Sequence, residues 1–250
     1  MELLFLGTGT GLPSASRGSP AILLRSLNVY LLLDIGPGTL RQLQVAGIPF
    51  WRIELVLITH FHPDHINGLS HLLFALRSPA IAKESGAIKI LGPKGLLEVH
   101  RSLSCIYGKW VEPIHQDSML MEFEPDTTIT HKHLEITSTN TLHTPNSLAF
   151  RIKGEGKSVV YSGDSGYSER LSEFAHLVDL LILESSFPDP HEGHLTPYEA
   201  GVLAKRAEAK RLVLTHFYPE VLETDITSEV RRAFDGELTL GRDMMKLILS

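Results

Sequence analysis

Cysteine is almost absent: the 250-residue chain holds one, Cys105. No intrachain disulfide can form, so a cytoplasmic, reducing location is expected. Cys105 has no CxxC partner and is read as structural. Long hydrophobic runs are missing too; no stretch approaches the roughly 18 apolar residues of a membrane span. The opening MELLFLGTGTG lacks the basic flank of a signal peptide. Basic residues are in the minority, 23 Lys and Arg against 29 Asp and Glu, for a net charge of -6. That balance disfavours a broad nucleic-acid surface, which needs a basic patch, without excluding a small one. A nucleotide signature is also lacking. Gly7-Thr-Gly-Thr-Gly11 has no Gly-Lys-Ser/Thr ending, and Leu12 and Pro13 break the dinucleotide pattern. It is read as a tight turn between two strands.

Hydrophobic residues make up 43% of the chain, enough for one large domain over residues 1–250 with a core that needs no staples. Short strands are expected at 2–6, 20–25, 29–33, 54–58 and 87–91, with helices at 39–46, 66–77 and 94–103. Residues 104–126 read as loop with one strand near 119–123. Strands near 133–142, 147–152 and 157–162 follow, then helix 168–176, strand 179–184, helix 197–208 and strand 211–215. A helix near 226–234 and strands near 237–240 and 245–249 complete the chain. Two clusters of strands, each followed by helices, suggest two sheets back to back with helices outside, an α/β sandwich. The stretch LVLITHFHP at 55–63 is echoed by LVLTHFYP at 212–219. If the echo reflects a repeated half, both strands deliver a histidine to the same edge.

Histidine is abundant, with 13 in all, and His60, His62, Asp64 and His65 crowd the end of the apolar run 55–59. Imidazole and carboxylate together suit zinc, iron or manganese. Without a metal, such a cluster beside a buried strand would leave desolvated polar groups unsatisfied. Period-two geometry sends His60, His62 and Asp64 to one side, while the neighbours Asp64 and His65 point apart, so one loop could serve two ions. Two ions need further donors from other strand ends. His143, Asp164 and His216 each follow a strand, and a carboxylate such as Asp164 is suited to bridging. His71, His100, His115 and His176 are read as structural, and His131 with His133 as a solvated strand face.

The run THFHPDH resembles the H-x-H-x-D-H signature of the metallo-β-lactamase superfamily, which implies an αββα sandwich with a dinuclear site at one edge. By that resemblance His60, His62 and His143 would hold one metal, and Asp64, His65 and His216 the other, with Asp164 bridging. Asp34-Ile-Gly-Pro-Gly-Thr39, Ile90-Leu-Gly-Pro-Lys-Gly95 and Gly193-His-Leu-Thr196 are similar to stretches of the ribonuclease Z-like branch of phosphodiesterases. That likeness implies that His194 assists as general acid or stabilises the leaving oxygen, while Thr196 and Pro197 read as N-cap and N1 of the next helix. The tRNA-processing members carry a long tRNA-binding arm between the third histidine and the bridging aspartate. Here only 20 residues separate His143 from Asp164, so tRNA processing through such an arm is not expected.

The expected activity is hydrolysis of a small phosphodiester or similar ester by hydroxide held at two divalent ions, zinc first, with manganese, iron or nickel compatible. Asp64 would orient or deprotonate the water and His194 would serve the departing oxygen. A thioester or lactone hydrolase, or a non-catalytic metal-binding accessory protein, are the alternatives. The resemblance also makes a homodimer plausible.

Overall fold

The computed structural model describes residues 1–250. Its strands are β1 (Glu2–Gly7), β2 (Ala21–Ser26), β3 (Val29–Leu33), β4 (Leu55–Leu57), β5 (Lys89–Gly92), β6 (Met119–Glu122) and β7 (Thr128–His131). The second half adds β8 (Leu134–Asn140), β9 (Leu148–Gly154), β10 (Lys157–Tyr161), β11 (Leu180–Glu184), β12 (Arg211–Thr215), β13 (Glu237–Leu240) and β14 (Lys246–Ile248). One seven-stranded sheet has the order β14-β1-β2-β3-β4-β5-β6 and the other β13-β12-β11-β10-β9-β8-β7. Each joins an antiparallel hairpin region to a parallel one. In the first sheet β3 to β6 are parallel; in the second, β10 to β13.

Period-two alternation sorts the layers. Leu55 and Leu57 point between the sheets, where they meet Phe150, Ile152, Val159, Tyr161 and Val213. Val56, one residue out of phase, faces the outer helices. Those helices are α1 (Thr39–Val45), α2 (Pro63–Ile66), α3 (Gly68–Leu76), α4 (Pro79–Ala82) and α5 (Leu96–Tyr107). The second sheet is covered by α6 (Glu169–Phe174), α7 (Pro197–Arg206), α8 (Pro219–Leu222) and α9 (Ile226–Arg231). Leu40, Leu43, Leu69, Leu72 and Leu76 seal the first outer layer. Leu171, Leu203, Ala204, Val221 and Val230 seal the second. Burying each such leucine or valine contributes roughly 1.5–3 kcal/mol. The result is the four-layer αββα sandwich. No helix is long and apolar enough to cross a membrane.

Several local expectations are corrected. The Gly7–Gly11 segment is not a tight turn but the start of a long loop to β2, pinned where Gly9 N–H donates to Gly18 O at 2.8 Å. The helix expected at 66–77 begins earlier and is broken at Asn67 into α2 and α3; it ends at Leu76, and Pro79 opens the short α4. α5 runs to Tyr107 and continues as a 3-10 turn, Gly108–Val111, inside the stretch read as loop. Strand β7 and helix α8 were not expected; both are four residues long, too short to display a period. His131 is buried at the end of β7 beside Glu54, so the His131–His133 pair is not a solvated face. Only His133 is exposed, held by Ser26 Oγ at 2.8 Å.

Candidate metal centre

Parallel strands gather their carboxyl ends at one rim, where open α/β sheets place ligand sites. From the first sheet come Asp34 after β3 and Thr59–His60 after β4. From the second come Asp164 after β10, Glu184 at the end of β11 and His216 after β12. Two of these residues adopt the left-handed backbone region, Asp34 and His216, both at φ 58. Strain of this kind, of order 1–3 kcal/mol, collects at functional sites.

The hairpin of β9 and β10 returns the chain from His143 to Asp164, and Thr59 O accepts the Leu148 N–H at 2.9 Å, tying the sheets together at the rim. The turn of α2 places Asp64 and His65. Because it is helical and not extended, the two neighbours converge: His65 Nε2 lies 3.8 Å from Asp64 Oδ2. The expectation that they point apart therefore fails. The Asp34 loop fits under this turn through Gly36, where an added Cβ would stand 2.2 Å from Asp64 O.

Hydrogen bonds on the far nitrogens fix the ring orientations. Asp34 is fully buried and accepts from Thr59 N (2.8 Å), Thr59 Oγ1 (3.0 Å), Tyr161 OH (2.8 Å) and His65 Nδ1 (2.7 Å). The Thr59 hydroxyl spends its proton on Asp34, so its oxygen accepts from His60 Nδ1 at 3.0 Å. His143 Nδ1 donates to Gly193 O at 2.9 Å. Ser186 Oγ donates to Glu184 Oε2 and accepts from His216 Nδ1 at 2.9 Å. Each of these four imidazoles thus turns Nε2 toward Asp164. His60 Nε2 lies 3.8 Å from Asp164 Oδ2, His143 Nε2 3.7 Å and His216 Nε2 3.5 Å; His65 Nε2 lies 3.3 Å from Oδ1. His62 completes the group, its Nδ1 3.0 Å from His143 Nε2.

The donor atoms of His60, His62, His143 and Asp164 lie within 4.8 Å of one another, as do those of Asp64, His65 and His216. His60 Nε2 and Asp164 Oδ1 are buried with no hydrogen-bond partner. Facing nitrogens of this kind cannot all be satisfied by protons, and the donor set fits borderline divalent cations. Burial, reinforced by His65, pushes the His60 pKa far below the ordinary histidine value, which keeps its lone pair available. Burial likewise lowers that of His143. At His65 burial opposes charge, yet Asp164 and Asp34 hold the pKa well above the usual value. Burial also works against the Asp164 carboxylate, but His216 and His65 keep its pKa well below the usual range.

His194 stands at the edge of the cluster; its donor nitrogen, one from His216 and an Asp164 oxygen lie within 4.8 Å of one another. Its Nδ1 donates to Glu184 Oε1 at 2.9 Å. Burial opposes the His194 charge, and the bond to Glu184 overcomes it and raises the pKa. The loop bearing His194 is clamped by a capping box at Thr196 and Glu199, opening α7 with Pro197 in its first turn. Glu184, which holds His194, is not singled out by the sequence, and Asp34, which holds His65, enters there only as the first residue of the quoted Asp34–Thr39 loop, with no role. The available signal was a carboxylate ending a wholly apolar strand, LLILE and VYLLL-Asp34. His71 and His176 are exposed, His100 bonds Val111 O and His115 bonds Ser85. None of the four joins the cluster.

Comparison with known proteins places this fold in a family. Residues 30–217 match the family model described as Beta-lactamase superfamily domain. The chain is 28% identical to a probable metallo-hydrolase, YhfI of Bacillus subtilis, over 97% of both chains. The crystal structure of YhfI superposes with a TM-score of 0.87 over 98% of each chain. A ribonuclease Z of Ignicoccus hospitalis is 30% identical over an alignment of 304 residues covering 99% of this chain and 98% of that protein. The short form of human tRNase Z (ELAC1) superposes with a TM-score of 0.78 at 27% identity, over the full length of both chains. On the fold, the convergence of donors and these likenesses, the chain belongs to the β-lactamase superfamily, in its ribonuclease Z-like branch of metallo-hydrolases.

Proposed function

We propose that residues 1–250 act as one domain, a cytoplasmic phosphodiesterase with two divalent ions, zinc in the first instance. His60, His62 and His143 would hold one ion and Asp64, His65 and His216 the other, with Asp164 between them. When bound, the ions supply Lewis acidity at the phosphoryl group and bring the pKa of water to roughly 7. Asp64, at the mouth of the site with its Oδ2 3.4 Å from His216 Nε2, is placed to orient the attacking water and take its proton. His194 keeps Nδ1 on Glu184 and presents Nε2 to the departing oxygen. Glu184, fully buried and also holding Ser165 N–H at 2.8 Å, fixes that tautomer and favours the protonated ring.

The Glu184–His194 pair beside the donors carries this reading. A thiolate, with a pKa near roughly 8.5, departs without help. An alkoxide, comparable in basicity to hydroxide, needs a proton as it leaves. A positioned acid therefore favours an oxygen ester over a thioester. The substrate would be a small phosphodiester. Nucleic acid is disfavoured by the acidic charge, and a homodimer is compatible with the fold. The test is a panel on protein loaded with zinc or manganese: bis(p-nitrophenyl) phosphate, an alkyl phosphodiester and a thioester, beside elemental analysis. Turnover of the diesters with two ions per chain is expected. Faster cleavage of the thioester, or one ion per chain, would overturn the proposal.

A further inference from the structure

The donor rim carries one half-buried aromatic side chain that neither the metal cluster nor the core accounts for. Tyr218 follows His216 by two residues and caps α8 with extended backbone, φ -74 and ψ 157, ahead of Pro219. A residue before proline is confined to that region, so its Cα–Cβ bond keeps one direction. Phe187 fixes the face of the ring, stacked on it at 4.5 Å and 22°. The ring then meets His216 nearly edge-on at 5.8 Å and 68°, and His194 at 6.3 Å and 76°. Tyr218 therefore stands beside both a metal-cluster histidine and the histidine placed to serve the departing oxygen.

Its hydroxyl is uncommitted. Those of Thr59, Tyr161 and Ser186 are spent on the buried carboxylates of Asp34 and Glu184, whereas no group of the chain accepts from Tyr218. Burial raises the phenol pKa, and Asp64, Asp164 and Glu184 raise it further, so its oxygen lies within the field of the site. Free cations are lacking here. The cavity of about 820 Å³ that His143 and His194 help to wall has no lysine or arginine in its lining. Arg17, over the ring of Phe217, is tied to Thr8 Oγ1 at 2.6 Å and to Gly241 O at 2.8 Å.

A phosphodiester spreads its negative charge over a pair of non-bridging oxygens. With the ions acting on one, the other needs a donor, a task that arginine or lysine usually performs. His194 is committed to the departing oxygen. Resting on the phosphodiester reading of the same site, we infer that Tyr218 is a further catalytic residue, whose O–H donates to the non-bridging phosphoryl oxygen that the ions leave free. A phenol, with an ordinary pKa near roughly 10, keeps its proton at neutral pH. The bond is made to the phosphoryl group and not to the leaving group, so it helps every diester alike.

Tyr218→Phe removes the oxygen and keeps the stack on Phe187. In the metal-loaded, full-length protein it should leave metal content and the denaturant midpoint unchanged. Inorganic phosphate should bind about tenfold to a hundredfold more weakly in calorimetry, the range of a hydrogen bond to a charged group. The kcat/KM should fall by a similar factor for p-nitrophenyl and alkyl diesters alike, whereas a lost acid would spare the p-nitrophenyl ester. Phosphate binding that is absent, or that the substitution leaves unchanged, overturns the inference. So does a loss of metal, or a loss of turnover confined to the alkyl diester. Weakened phosphate binding, in a protein that hydrolyses no diester before substitution, would refute the phosphodiester reading and leave the phosphoryl contact standing. Diester hydrolysis that Tyr218→Phe leaves untouched would do the reverse.

Discussion

The chain turns the same corner twice. LVLITHFHPDHI leaves β4 in one sheet, and LVLTHFYPEVL leaves β12 in the other. Both run from an apolar strand through Thr-His-Phe into a four-residue helix with proline in its first turn. Both histidines reach the same rim, and His65 and His216 approach within 3.4 Å through Nε2. Past Thr-His-Phe the corners differ in four side chains: Tyr218 stands where His62 would, Glu220 where Asp64 would, Val221 where His65 would and, a mild change, Leu222 where Ile66 would. Beneath His65 lies the buried carboxylate of Asp34. Val221 instead packs fully buried among the outer helices, and Glu220 is exposed. The corner is a backbone device for delivering side chains to the rim. What it delivers is set residue by residue, and by what waits underneath.

The comparison can be tested by removing donors from one corner or moving them to the other. Asp164, shared by both sets of histidines, should matter most. Asp164→Asn is expected to strip metal and reduce turnover well beyond the roughly 10–100-fold that loss of an outer partner costs, read by elemental analysis and diester hydrolysis. His194→Ala should leave metal content intact yet reduce turnover of an alkyl diester about 10²–10⁴-fold. The loss should be smaller for a p-nitrophenyl diester, whose leaving group needs little protonation. Equal losses would place His194 outside acid catalysis. Asp34→Asn, which keeps shape but removes the charge beneath His65, should weaken metal affinity by roughly 10–100-fold in a competitive chelator titration. Val221→His, giving the second corner its missing histidine, should lower stability by about 1–3 kcal/mol in a denaturant melt and add no metal, because no carboxylate waits below it. A gain of bound metal would show that the corner alone suffices.

Much of the architecture was legible. The strands expected at 29–33, 211–215 and 237–240 coincide with observed strands to the residue, because the Leu/Val runs of the first two and the alternation of the third are local properties. The helix break at Asn67 was not legible. It follows from Gly68, where a Cβ would meet Gly36 O at 2.7 Å, a contact with a loop 32 residues away. Among the candidate site residues, the side-chain types and strand-end positions could be read from the chain. The roles of Asp34 and Glu184 could not, since a carboxylate at a strand end is ordinary until its partners are known. Those partners are Tyr161 and His65 for Asp34, and His194 and Ser186 for Glu184, and Tyr161 comes from the opposite sheet.

The sequence by itself determined the inventory: strands and helices through their periods, one corner rich in imidazole and carboxylate, and too little basic charge for a broad nucleic-acid surface. Tertiary structure decided which nitrogen of each histidine faces inward, that Asp64 and His65 converge, and that Glu184 holds His194. The reason is range. Periodicity and turn chemistry act over a few residues, whereas a ring's orientation is set by the hydrogen bond on its far side. For His143 that partner is Gly193, 50 residues on, and for His65 it is Asp34, 31 residues back.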